Sequence, residues 1–498
     1  MRKNDEAHTN LIDAGQEVFD SIIYGNQPMK LIVVLAFLAL FAIPHGSFGA
    51  DSRPNVLFIA IDDLRDWAGY FGHYPGAKTP NLDRLAKKGM AFTRAYCAAP
   101  VCNPSRCALL SGLRPSTTGV YENNADGRTV VPTELSLPTT MRNGGYFVCG
   151  AGKIYHEKFN RRDEWDAYLK NEGRDPAPKE KQVAANFLRS PLDCEDSDMQ
   201  DFRIADYGIH ELGKKHDKPF FLAVGFHKPH TPWNVPRKYY DLFPLDKIEL
   251  PPYLESDLDD VPPAGQHMAK YAGTLLPKPD GDHAAILGRG KWKEAIQGYL
   301  SASAFADTQV GRVLDALENS KYRDNTIICL WSDHGWHLGE KHHWRKFSLW
   351  EEGTRSPLLW VVPGMTTPGS ICQRPIDFMS IYPTLTDLCG IATPKHVEGL
   401  SLRPLLRNPL AAWDRPAITT YLENNHAIRA DGWRYIRYAD GGDELYDENA
   451  DPNEWKNLAS DPAFAAKKSD LAKWLPTLNQ PDVGVENEPK EKKKKIIK

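Results

Sequence analysis

Three stretches of the chain are apolar without interruption: "NVLFIAI" from Asn55, "PFFLAVGF" from Pro219 and "NTIICLWS" from Asn325. Their length and their β-branched and aromatic content predict strands buried on both faces. Between them apolar residues recur at helical spacing. Leu82, Leu85 and Met90 share one side of "TPNLDRLAKKGM". Ile296, Tyr299 and Leu300, then Val310, Val313, Leu314 and Leu317, line one side of a longer segment. Continuous strands alternating with amphipathic helices predict an α/β fold with a mainly parallel central sheet sandwiched by helices. Downstream the period changes. "HAIRADGWRYIRYADGGDELYD" alternates apolar and polar positions and breaks at Asp431-Gly432 and Gly441-Gly442, which predicts a smaller C-terminal antiparallel subdomain.

The ends of the chain have another composition. Residues 31–43, "LIVVLAFLALFAI", follow Lys30 and precede the small residues of "PHGSFGA"; the run is short for a bilayer span and reads as a secretory signal peptide, with an amino-terminal anchor as the alternative. Met29 stands at its head, so residues 1–28 read as an upstream extension and 29–50 as the leader. The α/β domain then occupies 51–414 and the C-terminal subdomain 415–480. Residues 481–498, ending "KEKKKKIIK", read as a disordered basic tail. A leader implies export, to the periplasm or beyond, where some of the eight cysteines can pair. The net charge of -4 supplies no field that would gather nucleic acid or acidic lipid, so neither nucleic acid nor stable membrane insertion is expected.

In an open parallel sheet, ligands bind at the carboxyl ends of the strands. The first apolar stretch ends in Asp62-Asp63, the second in His227-Lys228-Pro229-His230, the third in Asp333-His334. Adjacent carboxylates repel unless a cation lies between them. Asp62, Asp63, Asp333 and His334 form an oxygen-rich set that suits calcium better than zinc. The competing reading has Asp62 capping a turn and Asp63 pairing with Arg65. Within "APVCNPSRCALLSG", Pro104 is comfortable in a first helical turn, which puts Cys102 at the positive end of a helix, where a thiol is expected to have a lowered pKa.

Cys102, Pro104, Ser105 and Arg106, followed by Leu110, Ser111 and Gly112, resemble the sulfatase signature, and they lie downstream of "IDD" and upstream of "SDHG" in family order. "GKIYH" (Lys153, His156), "AVGFHKPHTPW" (His227), "WSDHGWHLGE" and Lys346 are similar to the iduronate-2-sulfatase branch in particular. The resemblance implies an alkaline phosphatase-like fold and an enzyme that hydrolyses sulfate esters. It implies a Cα-formylglycine made from Cys102 by a formylglycine-generating enzyme. It further implies calcium held by Asp62, Asp63, Asp333 and His334, with the modified Cys102 completing the shell.

Arg106, Lys153, His156, His227 and Lys346 would then surround the sulfate. His227 is the expected acid for the departing oxygen and His156 the partner of the formylglycine hydroxyl, though the two roles are exchangeable. The implied substrate is a sulfated saccharide, a 2-O-sulfated uronic acid at a chain end. Two alternatives stay open: a phosphate or phosphonate monoester hydrolase of the same superfamily, and a non-catalytic binder of sulfated glycans. Trp67, Trp233 and Trp336 adjoin the predicted site and are open to two readings, a platform for a sugar face or core packing. His342 and His343 read as ordinary loop residues, and the Pro-rich stretch from Leu250 and the stretch near Gly281 as surface excursions.

Overall fold

The computed structural model describes residues 53–178, 183–184, 187–272 and 281–484. The upstream extension, the leader and most of the expected tail lie outside the described residues. From Arg53 onward the chain forms one compact unit.

The order along the chain is β1 (Asn55–Ile61), α1 (Pro80–Lys88), β2 (Met90–Phe92), α2 (Cys102–Ser111), β3 (Phe147–Gly152), β4 (Ala167–Tyr168), α3 (Gln200–Gly213) and β5 (Phe220–Phe226). It continues with α4 (Trp292–Glu318), β6 (Thr326–Ser332), β7 (Leu358–Val361) and β8 (Ser370–Cys372). These strands make one eight-stranded sheet in the order β8-β2-β7-β6-β1-β5-β3-β4. β1 pairs in parallel with β6 and β5 on either side, and only the two contacts of β7 are antiparallel. The sheet is therefore mainly parallel, with the three apolar stretches at its centre.

Alternate residues of the central strands face opposite layers, as the pleat requires. Leu57, Ile59, Leu222, Val224, Ile328 and Leu330 pack against α1, α3 and α4 through Leu85, Ile204, Val310 and Val313. Val56, Phe58, Phe221, Ala223, Ile327 and Trp331 pack on the other face against Leu109 and Leu110 of α2 and the helix Ile381–Leu388. Burial on both sides explains why these strands carry no polar alternation.

The C-terminal portion holds a four-stranded antiparallel sheet, β9 (Ala417–Thr420), β10 (His426–Ala430), β11 (Trp433–Arg437) and β12 (Asp443–Asp447), paired in that order. Gly432 turns the chain between β10 and β11 at φ 72°, a conformation that suits glycine. Among the described residues no helix is long and apolar enough to cross a membrane. All eight cysteines are free thiols, so the disulfides an oxidising compartment permits are not formed here.

Candidate active site

The carboxyl ends of the central strands converge on one buried cluster. Asp62 and Asp63 follow β1 directly, and Asp63 takes φ 61°, in the left-handed region. That turn is pinned from several sides. The Asp63 amide donates to Asp333 Oδ1 at 3.0 Å, the Leu64 amide to Ser332 Oγ at 2.9 Å, and the Asp63 carbonyl accepts from the Tyr299 hydroxyl at 2.9 Å. Strained backbone persists where its surroundings over-determine it, and such places cluster at working sites.

α2 begins at Cys102, with Val101 extended at its N-cap. Residues 102, 105 and 106 fall at i, i+3 and i+4 and share one face of the helix, which explains their spacing. Ser105 Oγ donates to the Asp333 carbonyl at 2.5 Å. Arg106, fully buried, bridges two strand ends: its Nη2 lies 2.9 Å from Asp62 Oδ1 and its Nε 3.0 Å from Asp333 Oδ2. Lys153 Nζ, just past β3, meets Asp62 Oδ2 at 2.5 Å. Lys346 Nζ meets Asp63 Oδ1 at 2.6 Å and Cys102 Sγ at 2.9 Å. His334 Nε2 lies 3.3 Å from Cys102 Sγ. Its Nδ1 faces the Gly335 carbonyl at 3.0 Å, so Nδ1 carries the proton and Nε2 offers a lone pair to the cluster.

Three carboxylates thus face three cations around residue 102. Two sets of donors, Asp62, Asp63, Cys102 and His230, and Asp63, Cys102, Asp333 and His334, have their ligating atoms within 4.8 Å of one another. Asp63 Oδ2 is buried with no hydrogen-bond partner. An orphaned carboxylate oxygen among hard donors fits a hard divalent cation.

Residues 54–391 match the family model described as Sulfatase, and residues 339–481 match the one described as N-sulphoglucosamine sulphohydrolase, C-terminal. This chain belongs to the sulfatase family. A sulfatase of Formosa agariphila is 40% identical over 448 residues, which is 86% of this chain and 87% of that one. Iduronate 2-sulfatase of Mus musculus is 30% identical over 406 residues, 72% of each chain. Among solved structures, the phosphonate monoester hydrolase of Agrobacterium radiobacter aligns with a TM-score of 0.73 at 23% identity, covering 86% of this chain and 95% of that one, a likeness of fold alone. The protein is accordingly a hydrolase of sulfate esters.

The electrostatics of this candidate site follow from burial. Burial works against ionised Asp62, yet Lys153 and Arg106 hold its carboxyl well below the usual range. Asp63 goes the other way: burial raises it against the pull of Lys346, with a smaller push upward from the neighbouring Asp62. The helix-end expectation for Cys102 is corrected. Burial pushes its thiol up strongly, despite Lys346 and Lys153, because desolvation of a thiolate at this depth outweighs one helix terminus. An unmodified Cys102 is therefore a poor nucleophile.

The predicted residues do not all fall alike. Asp62, Asp63, Cys102, Arg106, Lys153, Asp333, His334 and Lys346 come together as described. His156 is pushed down to about 4 by burial and by Lys153, and its Nδ1 is buried without a hydrogen-bond partner. His227 is held to one side: its Nε2 lies 3.2 Å from Gln200 Nε2 and 3.4 Å from Glu172 Oε2. The cluster instead receives His230, whose Nε2 lies 3.8 Å from Asp63 Oδ2. Sequence reasoning passed over His230, although the quoted His-Lys-Pro-His string contained it. Trp67, Trp233 and Trp336 are at most 3% exposed. They are core residues: Trp67 stacks on Tyr74 at 4.1 Å, and Trp336 and Trp233 pack around Tyr299.

Proposed function

We propose that this sulfatase is exported and removes a 2-O-sulfate from a uronic acid of a sulfated carbohydrate, with Cα-formylglycine at position 102 and calcium among Asp62, Asp63, Asp333 and His334. The observation that carries the reading is the seat of residue 102, enclosed by Lys346, His334 and Asp63 at the first turn of α2. The similarity to iduronate 2-sulfatase supports the uronate as substrate. When present, the hydrated aldehyde supplies an oxygen nucleophile, which the metal makes acidic enough to act near neutral pH.

The chain's own residues do the rest. Arg106, Lys153 and Lys346 hold the sulfate oxygens, each contributing roughly 2 to 4 kcal/mol where charge accumulates. These cations rest on Asp62, Asp63 and Asp333, so they are held in place by carboxylates that a divalent ion would also share. His230 takes the role first assigned to His227 and protonates the departing oxygen; burial, Lys153 and Lys346 hold its imidazole well below the ordinary value, and the negative charge of a bound sulfate is what would raise it enough for Nε2 to carry the proton. His156, beside Lys153, is neutral at working pH and accepts a hydrogen bond from the group at 102.

The test is expression together with a formylglycine-generating enzyme, mass spectrometry of the peptide spanning residue 102, and parallel turnover of 4-nitrophenyl sulfate, 4-nitrophenyl phosphate and a 2-O-sulfated uronate disaccharide. The expected result is an aldehyde mass at 102 and preference for sulfate esters. A clear preference for the phosphate, or glycan binding with an intact thiol in material from the native host, overturns the reading.

A further inference from the structure

Lys346 sits on a loop that few sequences would tolerate unaided. In residues 341–347, Lys341, His342, Arg345 and Phe347 take φ values of 55°, 50°, 77° and 73°. Each carries a Cβ that crowds the backbone in that conformation. Such a run persists only when its surroundings hold it.

The surroundings are the two stretches read from sequence as surface excursions, together with the helix Pro263–Tyr271 that continues the first of them. Lys341 Nζ pairs with Asp257 Oδ1 at 2.6 Å, both side chains at most 3% exposed. His342 Nε2 meets the Leu254 carbonyl at 3.0 Å. The His343 ring spans two carbonyls, with Nδ1 2.8 Å from Ala269 and Nε2 2.6 Å from Lys346 itself. Trp344 Nε1 donates to His283 Nδ1 at 3.0 Å, and Arg345 Nε donates to Asp282 Oδ2 at 3.0 Å. Five consecutive side chains are thus tied to residues 254–269 and 282–283. The next residue is Lys346, and the Phe347 amide then donates to the Pro100 carbonyl at 3.1 Å, close to Cys102.

We infer that residues 254–269 and 282–283 are a clamp that positions Lys346, acting chiefly through Asp257 on Lys341 and Asp282 on Arg345. Neither aspartate touches the reacting atoms. They act by fixing the backbone from which Lys346 Nζ reaches both Asp63 and residue 102, and a displacement of about 1 Å at such a group lowers rates by as much as about 100-fold. This inference rests on the proposed role of Lys346 at the sulfate.

A double-mutant cycle tests it, with 4-nitrophenyl sulfate and the formylglycine-bearing enzyme. Asp282→Asn alone is expected to lower kcat about 10-fold or more while KM changes less. On the Lys346→Ala background the same substitution is expected to cost less than about twofold, since the group it positions is gone. Equal losses on both backgrounds indicate a purely structural aspartate and overturn the proposal. Removing Asp257 alone strands a buried lysine, so the second variant is the paired Lys341→Met, Asp257→Leu, which keeps the packing and carries the same expected coupling. A crystal structure of the Asp282→Asn protein gives a readout independent of turnover. Lys346 Nζ is expected to leave hydrogen-bond reach of Asp63 Oδ1, and an undisturbed contact sinks the inference even if no ester is hydrolysed. If the wild type carries formylglycine and hydrolyses no sulfate ester, the functional reading fails while the structural readout still decides this one.

Discussion

His227 and His230 stand three residues apart at the end of β5, and the turn between them decides which one reaches the carboxylates. The His230 amide donates to the His227 carbonyl at 2.9 Å, so the chain folds back over Asp63. Asp201 of α3 holds the base of that turn by accepting the amides of His227 and Lys228 at 2.8 and 2.9 Å. Removal of a proton donor matters most when the leaving group is basic, which gives a discriminating prediction. His230→Ala should lower kcat for a sugar sulfate by about 100-fold or more, and for 4-nitrophenyl sulfate by less than about 10-fold. Equal losses for the two esters would remove His230 from the proton-donor role. The strand-end carboxylates were legible in the sequence because chain connectivity delivers them to one end of a parallel sheet, whereas Cys102 and Arg106, on α2, were legible only through their resemblance to a family signature. His230 was not, because the direction of a four-residue turn is set by a helix that contacts it from elsewhere in the chain. The tryptophans were ambiguous for a related reason: adjacency to a site along the chain does not say on which side of the backbone a side chain packs.

α1 shows how one element completes another. Its N-cap residue, Thr79, makes no side-chain capping bond. Asp307, 1% exposed in the middle of α4, supplies the missing acceptor. Its carboxylate accepts the Asn81 amide at 3.1 Å, the Leu82 amide at 2.8 Å and Asn81 Nδ2 at 2.8 Å. Negative charge at a helix N-terminus is favourable, and the amides there have no intrahelical partner. Asp307→Ala leaves buried donors unsatisfied and should lower stability by roughly 3 kcal/mol, read as a shift in the denaturation midpoint. Asp307→Asn should recover part of that loss, and an unchanged midpoint for the alanine variant would refute the capping role. The apolar stripe of α4 made the helix readable, but a cap 226 positions away leaves no local pattern. β8 escaped for a simpler reason, since three residues are too few to show a period, and β2 because Met90, read as the end of the apolar side of α1, instead starts a three-residue strand past the helix end at Lys88 and packs on the other face of the sheet.

The whole molecule is joined by a seam of buried charge between the C-terminal sheet and the catalytic layers. Arg429 of β10 and Arg434 of β11 reach across to Glu351, and both also contact Glu448. Glu454 joins them on Arg434, and Arg355 carries the connection from Glu351 to Asp66, three residues past Asp63. Apart from Glu351 and Arg355, four positions apart, these partners are separated by tens to hundreds of residues and cannot be read from a charge pattern, which explains why the meander itself was legible and its attachment was not. Burial and crowding by Glu351 push Glu448 up to about 8, and burial pushes Glu454 up to about 7 despite Arg434. In the unfolded chain both titrate near the ordinary glutamate value of 4.5. Between about pH 4.5 and 8 the folded protein therefore binds more protons than the unfolded one, so the stability these groups contribute is complete below that window and is lost as pH rises through it. Each group can remove up to about 1.4 kcal/mol per pH unit there. Glu351, held low by Arg429 and Arg355 in spite of burial, acts in the opposite sense and protects the seam from weakening until more acidic pH. The buried histidines, held low by burial, add stability as pH rises toward their ordinary value of 6.5, so thermal melting followed from pH 5.5 to 8.5 should show the falling midpoint above about pH 7. Glu454→Gln keeps an acceptor for the Glu351 amide, which Glu454 Oε2 meets at 3.0 Å, but abolishes one titration. Its melting midpoint should fall less steeply over the same interval, and parallel curves for the two proteins would show that the seam does not govern the alkaline limb.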